Sequence, residues 1–192
     1  MKQGLILLAT SLSIIGTSDY ILSILRGKTR PHRTTRFVLF IVSTANLIGA
    51  IAAHAALGTM VLSILFFARS FILAMLSIKR GIGGTSRLDI SCAVISVMGI
   101  IAWLVTGSGI WALVFAVIAD AVAYIPAVVK TWISPDSEAP LLYWLEGIAA
   151  ILAVIHDGLH PSIIFQVYVV LSCIVMLICI NRPTFGKEKI SV

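Results

Sequence analysis

Long apolar runs separated by short polar clusters set the pattern of this chain. The runs occupy residues 4–25, 37–56, 59–78, 88–106, 110–130, 141–156 and 161–180. A helix needs about 20 predominantly apolar residues to cross a bilayer, and fewer when flanking side chains reach outward. The pattern therefore predicts seven transmembrane helices, of which the sixth is the shortest and carries Glu146 inside it.

Composition points the same way. Of 192 residues, 59% are hydrophobic and 11% charged, whereas a soluble domain uses about 45–50% apolar and about 25% charged residues. The net charge of +6 sits in short clusters between the runs, the spacing of membrane loops rather than of a nucleic-acid surface. Cys92, Cys173 and Cys179 all lie within apolar runs and form no CxxC pair, which makes them packing residues. The first run follows a single basic residue, as a signal peptide does, but it lacks a small-x-small cleavage site and is expected to be retained.

Loop charge sets the expected orientation. With the N-terminus outside, the inner side receives Arg26, Lys28, Arg30, Arg33, Arg36, Lys79, Arg80, Arg87, Lys130, Arg182, Lys187 and Lys189, 12 of the 14 Lys and Arg. Lys2 falls outside and Arg69 lies mid-span. By the positive-inside rule the C-terminus is then cytoplasmic. The outer connections "ALGT", "TGSG" and "HDGLH" carry no Lys or Arg.

Two stretches, "DYILSILRGKTRP" from Asp19 and "DAVAYIPAVVKTWISP" from Asp120, suggest one unit written twice. Pro31 and Pro135 are 104 positions apart, and the same offset pairs Tyr20 with Tyr124, Arg26 with Lys130 and Phe40 with Trp144. It maps spans 1, 2 and 3 onto 5, 6 and 7 and leaves span 4 over. The expected fold is an all-α integral membrane protein with seven transmembrane helices, two parallel three-helix repeats joined by a linker helix, a plan found among transporters. Its parts are a first bundle over 1–80, the linker over 81–109, a second bundle over 110–182 and a cytoplasmic tail over 183–192.

In this layout, and in "YIPAVVKTWISP", where Pro126 precedes a basic residue at the span end, the chain resembles the SWEET and PQ-loop superfamily. The resemblance implies solute transport by alternating access. It places Phe40 and Trp144 nearest the tryptophans that SWEET proteins hold around sugar, and Arg69 and Cys173 where that family uses asparagines. Alanine, not glutamine, follows Pro126, so the solute class stays open among sugars, amino acids and related metabolites.

Several polar residues inside the apolar runs need partners. Asn46, Arg69 and Asp120 fall near one depth, and a charge at the bilayer centre costs at least about 2.5–3.5 kcal/mol unless it faces a partner or a wet cavity. Asp120 is therefore the expected partner of Arg69, either as a fixed structural pair or as part of a solute site. Asn46, Arg69, Asp120, Trp144 and Phe40 form the expected substrate site. Asp19 and Glu146 are candidate inner gates or solvated salt-bridge partners, and Pro126, which removes a backbone donor within a span, is a candidate hinge or a packing kink. His54, His156 and His160 lie toward the outer face without metal-ligand spacing.

The expected function is alternating-access transport of a small polar solute in a bacterial inner (plasma) membrane. Membrane lipids are expected partners and a homo-oligomer is possible, with no nucleic acid. No cofactor is expected, since neither a Walker loop nor a nucleotide-binding domain occurs. The alternative is a non-transporting membrane scaffold or sensor. An enzyme is not expected, because no dense carboxylate, metal or nucleophile–base cluster is legible.

Overall fold

The computed structural model describes residues 2–83, 109–158, 160 and 162–182, together with isolated positions between 87 and 105. Among them are six long α-helices: α1 (Lys2–Leu25), α2 (Arg33–Ala52), α3 (Leu57–Arg80), α4 (Gly109–Ile133), α5 (Pro140–Asp157) and α6 (Ile163–Asn181). A short 3-10 turn, Pro135–Ser137, precedes α5. All six are long and apolar enough to cross a membrane, and each presents large exposed apolar side chains, such as Leu7, Ile48, Ile64, Ile118, Ile151 and Leu171. Such a belt on every helix is a lipid-facing surface. The chain is a multi-pass, all-α integral membrane protein.

The seven-span plan is corrected to six membrane-long helices among the described residues. No distinct linker helix is described. The span expected over 88–106, Cys92 and the tail over 183–192 lie largely or wholly outside the described residues. Helix ends also run past the apolar stretches. Lys79 and Arg80 belong to the last turn of α3, and α4 continues past Lys130 to Ile133. Lys and Arg are good helix formers and are favoured where carbonyls lack partners at a helix C-terminus.

Hydrogen bonds define two faces of the bundle. Arg80 of α3 donates to the carbonyls of Ile24 and Leu25, so α1 and α3 end together. Lys130 near the end of α4 donates to the Arg30 carbonyl just before α2, and Arg182 after α6 stacks its guanidinium 4.4 Å above the Trp132 ring. This basic face thus collects the C-terminal ends of α1, α3, α4 and α6. At the far face, Asp157 at the end of α5 meets the start of α3.

Packing is mirrored between the first three helices and the last three. α1 lies on α5 as α4 lies on α2; α2 lies on α3 as α5 lies on α6; and α1 touches α3 as α4 touches α6. Small residues permit the close approaches. A Cβ on Gly16 would sit 3.2 Å from Leu145 Cβ, so glycine lets α1 rest directly on α5. Ala119 and Ala123 of α4 are buried against Val38, Leu39 and Val42 of α2. Toward the basic face, Tyr20, Ile24, Leu73, Leu142, Tyr143 and Met176 bring α1, α3, α5 and α6 into one core.

The start of α3 has no cap of its own, because Ala56 offers no side-chain acceptor. Asp157 supplies it from α5, accepting from Gly58 N at 2.9 Å, Thr59 N at 2.8 Å and the Thr59 hydroxyl at 2.8 Å. A carboxylate there satisfies two free donors and the positive end of the helix dipole. Asp157→Ala should lower stability by about 1–2 kcal/mol, read as a lower unfolding midpoint in detergent. Gly58→Ala should act in the same direction, since its Cβ would lie 2.6 Å from Asp157 Oδ1. Unchanged midpoints in both variants would contradict the shared cap.

Candidate functional site

Midway through the bundle the charged side chains converge on a cavity of about 50 Å³. Its walls include Arg36 of α2, Arg69 of α3, Asp120 and Tyr124 of α4, Glu146 of α5 and Tyr168 of α6. Residues of α2, α3, α4, α5 and α6 all line it, and α3 packs on α5 as α4 packs on α6.

The pairing inside the cavity differs from the expected one. Arg69 Nη1 lies 2.6 Å from Glu146 Oε1, not against Asp120. Ser13 of α1 donates to the same Glu146 oxygen at 2.7 Å, and Arg69 also lies over the ring of Phe66 at 5.2 Å. Asp120 instead accepts a hydrogen bond from the Tyr168 hydroxyl. Depth estimated from sequence places Arg69 and Asp120 at one level, but direct packing favours Glu146, whose helix lies against both α1 and α3. Asp120 is 5% exposed, and its second oxygen, Oδ1, has no hydrogen-bond partner among the described residues.

Toward the basic face, a polar cluster gathers around Glu138, a residue the apolar pattern left in a loop. Its Oε2 accepts from Tyr20 at 2.7 Å and from Tyr143 at 2.9 Å, while Lys130 binds Oε1. Arg36 donates to the Tyr20 hydroxyl and lies over its ring. One carboxylate thereby ties α1, α4 and α5 together, with α2 joined through Tyr20. At the far face lies the Asp157 cap, to which His156 Nδ1 is adjacent at 2.8 Å. Ser162 extends it by donating to Thr59 at 3.2 Å and by pairing with His160 Nδ1 at 2.7 Å. Among the described residues no three His, Cys, Asp or Glu side chains form a metal cluster.

The other sequence-derived residues take separate places. Asn46 is fully buried in α2, with neither amide atom partnered among the described residues, and it is not a wall of the cavity. Phe40 packs against Phe67 and Phe71, with ring centroids 5.8 and 5.5 Å away. Trp144 is 54% exposed on the outer surface of α5, beside Ile174 and Ile178. Asp19 is half-buried on α1 away from the cavity. Pro126 is buried within α4, which continues through it as one helix. The sequence reading counted Arg36 as a loop charge, used Tyr124 only as the repeat counterpart of Tyr20, and passed over Tyr143 and Tyr168. The available signal was a tyrosine hydroxyl inside an apolar span, which needs a partner as a charge does.

The chain matches no protein-family model, no curated protein and no solved structure. The resemblance to SWEET and PQ-loop proteins is therefore withdrawn: nothing in the sequence comparisons carries it, and six described spans stand where it implies seven. The architecture is that of a multi-pass helical membrane bundle, compatible with membrane transport in general.

Proposed function

We propose that this chain moves a small polar solute across the membrane by alternating access, with the central cavity as its binding site. The observation that carries the reading is a cavity lined by charged side chains inside the bundle, with a polar cluster around Glu138 toward the basic face and the Asp157 cap at the far face. Intramembrane ionisable residues that face a bundle interior mark solute and ion pathways, and transporter sites lie near the midplane between halves that rock against each other.

Buried polar groups without partners support the same motion. Asn46, Ser63 and Gln166 have unpartnered side-chain atoms among the described residues, and all three lie in the half of their helices nearer the far face. An unsatisfied buried polar group costs about 1–3 kcal/mol, a cost removed when a far-side opening lets water reach it. In this reading the basic face is cytoplasmic and the N-terminus outside, in a bacterial plasma membrane. The walls bind and release solute and catalyse no reaction.

The second reading is a non-transporting scaffold, favoured by the Arg69–Glu146 pair, which ties α3 to α5. Purified protein in liposomes separates the two. Transport predicts saturable uptake of one class from a panel of radiolabelled sugars, amino acids and organic ions, lost on Asp120→Ala. Empty-liposome rates across the whole panel would leave the scaffold.

A further inference from the structure

We infer that the cavity recognises a protonated amine, carried on a small zwitterionic solute, through Asp120 Oδ1. The inference rests on the transport reading for its biological meaning, but its binding chemistry stands separately. The other cavity charges already have partners: Arg69 is held by Glu146, Glu146 Oε1 also takes Ser13, and Arg36 donates to Tyr20. Asp120 is different. Its Oδ2 takes the Tyr168 hydroxyl, while Oδ1 is buried and unpartnered among the described residues, and Asp120 is one of the residues that line the cavity.

A buried carboxylate oxygen with no donor calls for a donor, and a positively charged one binds it most strongly. The rings of Phe66, Tyr124, Tyr143, Phe165 and Tyr168 also line the cavity, and aromatic faces attract a desolvated ammonium. A carboxylate or phosphate alone would meet Asp120 as a like charge. Two arginines and two carboxylates line the space, so a solute with one ammonium and one carboxylate enters without changing the charge balance. A simple amine would add an uncompensated charge. The cavity volume of about 50 Å³ restricts the recognised part to a compact head group.

The test uses the full-length protein purified in detergent, with glycine as zwitterion, methylammonium as amine, acetate as anion and glycerol as neutral probe. Thermal shift and calorimetry should show saturable binding of glycine, weaker binding of methylammonium, and no response to acetate or glycerol. Asp120→Asn, which keeps the shape and removes the charge, should weaken glycine at least tenfold. The wild-type probe series decides the matter even if Asp120→Asn fails to fold. Binding of acetate or glycerol as tight as glycine, or Asp120→Asn binding glycine like wild type, overturns the inference. Glycine binding without uptake into liposomes would support the amine site and remove the transport reading. Uptake confined to solutes lacking an amine would keep transport and remove the amine site.

Discussion

Glu146→Ala should lower the unfolding free energy by about 3–5 kcal/mol, the range seen when one partner of a buried ion pair is removed. The loss strands Arg69 inside the bundle and leaves the Ser13 hydroxyl without its acceptor. A lone guanidinium in the membrane interior must then draw in water or distort the helices around it. Adding Arg69→Gln to Glu146→Gln removes both charges and should restore much of the stability. The coupling in that double-mutant cycle should exceed roughly 0.5 kcal/mol, the usual limit of additivity for separate sites. Reversible unfolding in mixed detergent measures it, and additive losses would show that the pair does not hold α3 to α5. The same cycle with Asp120→Asn in place of Glu146→Gln should show weaker coupling, because Tyr168 rather than Arg69 is the hydrogen-bond partner of Asp120.

The second large effect is expected at Glu138. Glu138→Ala deprives Tyr20, Tyr143 and Lys130 of one shared acceptor. Hydrogen bonds to a charged group contribute about 1.5–3 kcal/mol each, and buried donors left behind cost more, so a loss of about 3 kcal/mol is expected. It should be concentrated at the basic face. Amide exchange should accelerate over 28–36 and 130–139 while the region around Asp157 keeps its protection. Glu138→Gln retains an acceptor for the tyrosines and should show a smaller change. Uniform acceleration through all six helices would indicate global destabilisation instead of a local latch.

The span positions were legible because burial in lipid demands long apolar runs, and α1, α2, α3, α4, α5 and α6 all fall on such runs. Arg69 and Asp120 stood out for the same reason, since a charge among apolar residues is costly wherever it points. Direction was harder to read. Trp144 and Glu146 are two positions apart on α5, about 200° around a helix of 3.6 residues per turn. With Glu146 turned to Arg69 and Ser13, Trp144 must face outward, as its exposure shows. Aromatic character alone could not reveal that, but the helical phase could. Glu138 escaped because a carboxylate between Pro135 and Pro140 reads as a solvated loop residue until the fold buries it under Tyr20 and Tyr143. Asp157 escaped likewise, because its partners lie about a hundred positions earlier in the chain, at Gly58 and Thr59.

Cys173 gives the most direct test of an alternately opened central cavity. Its side chain is buried and belongs to the cavity wall, and replacing Cys92 and Cys179 with serine leaves it as the only thiol. A small membrane-impermeant thiol reagent should then be added from either side of oriented proteoliposomes, with modification read by mass spectrometry. The account predicts modification from both sides, slowed by the solute that the cavity binds. Protection from both sides, or reaction from one side only, would contradict alternating access.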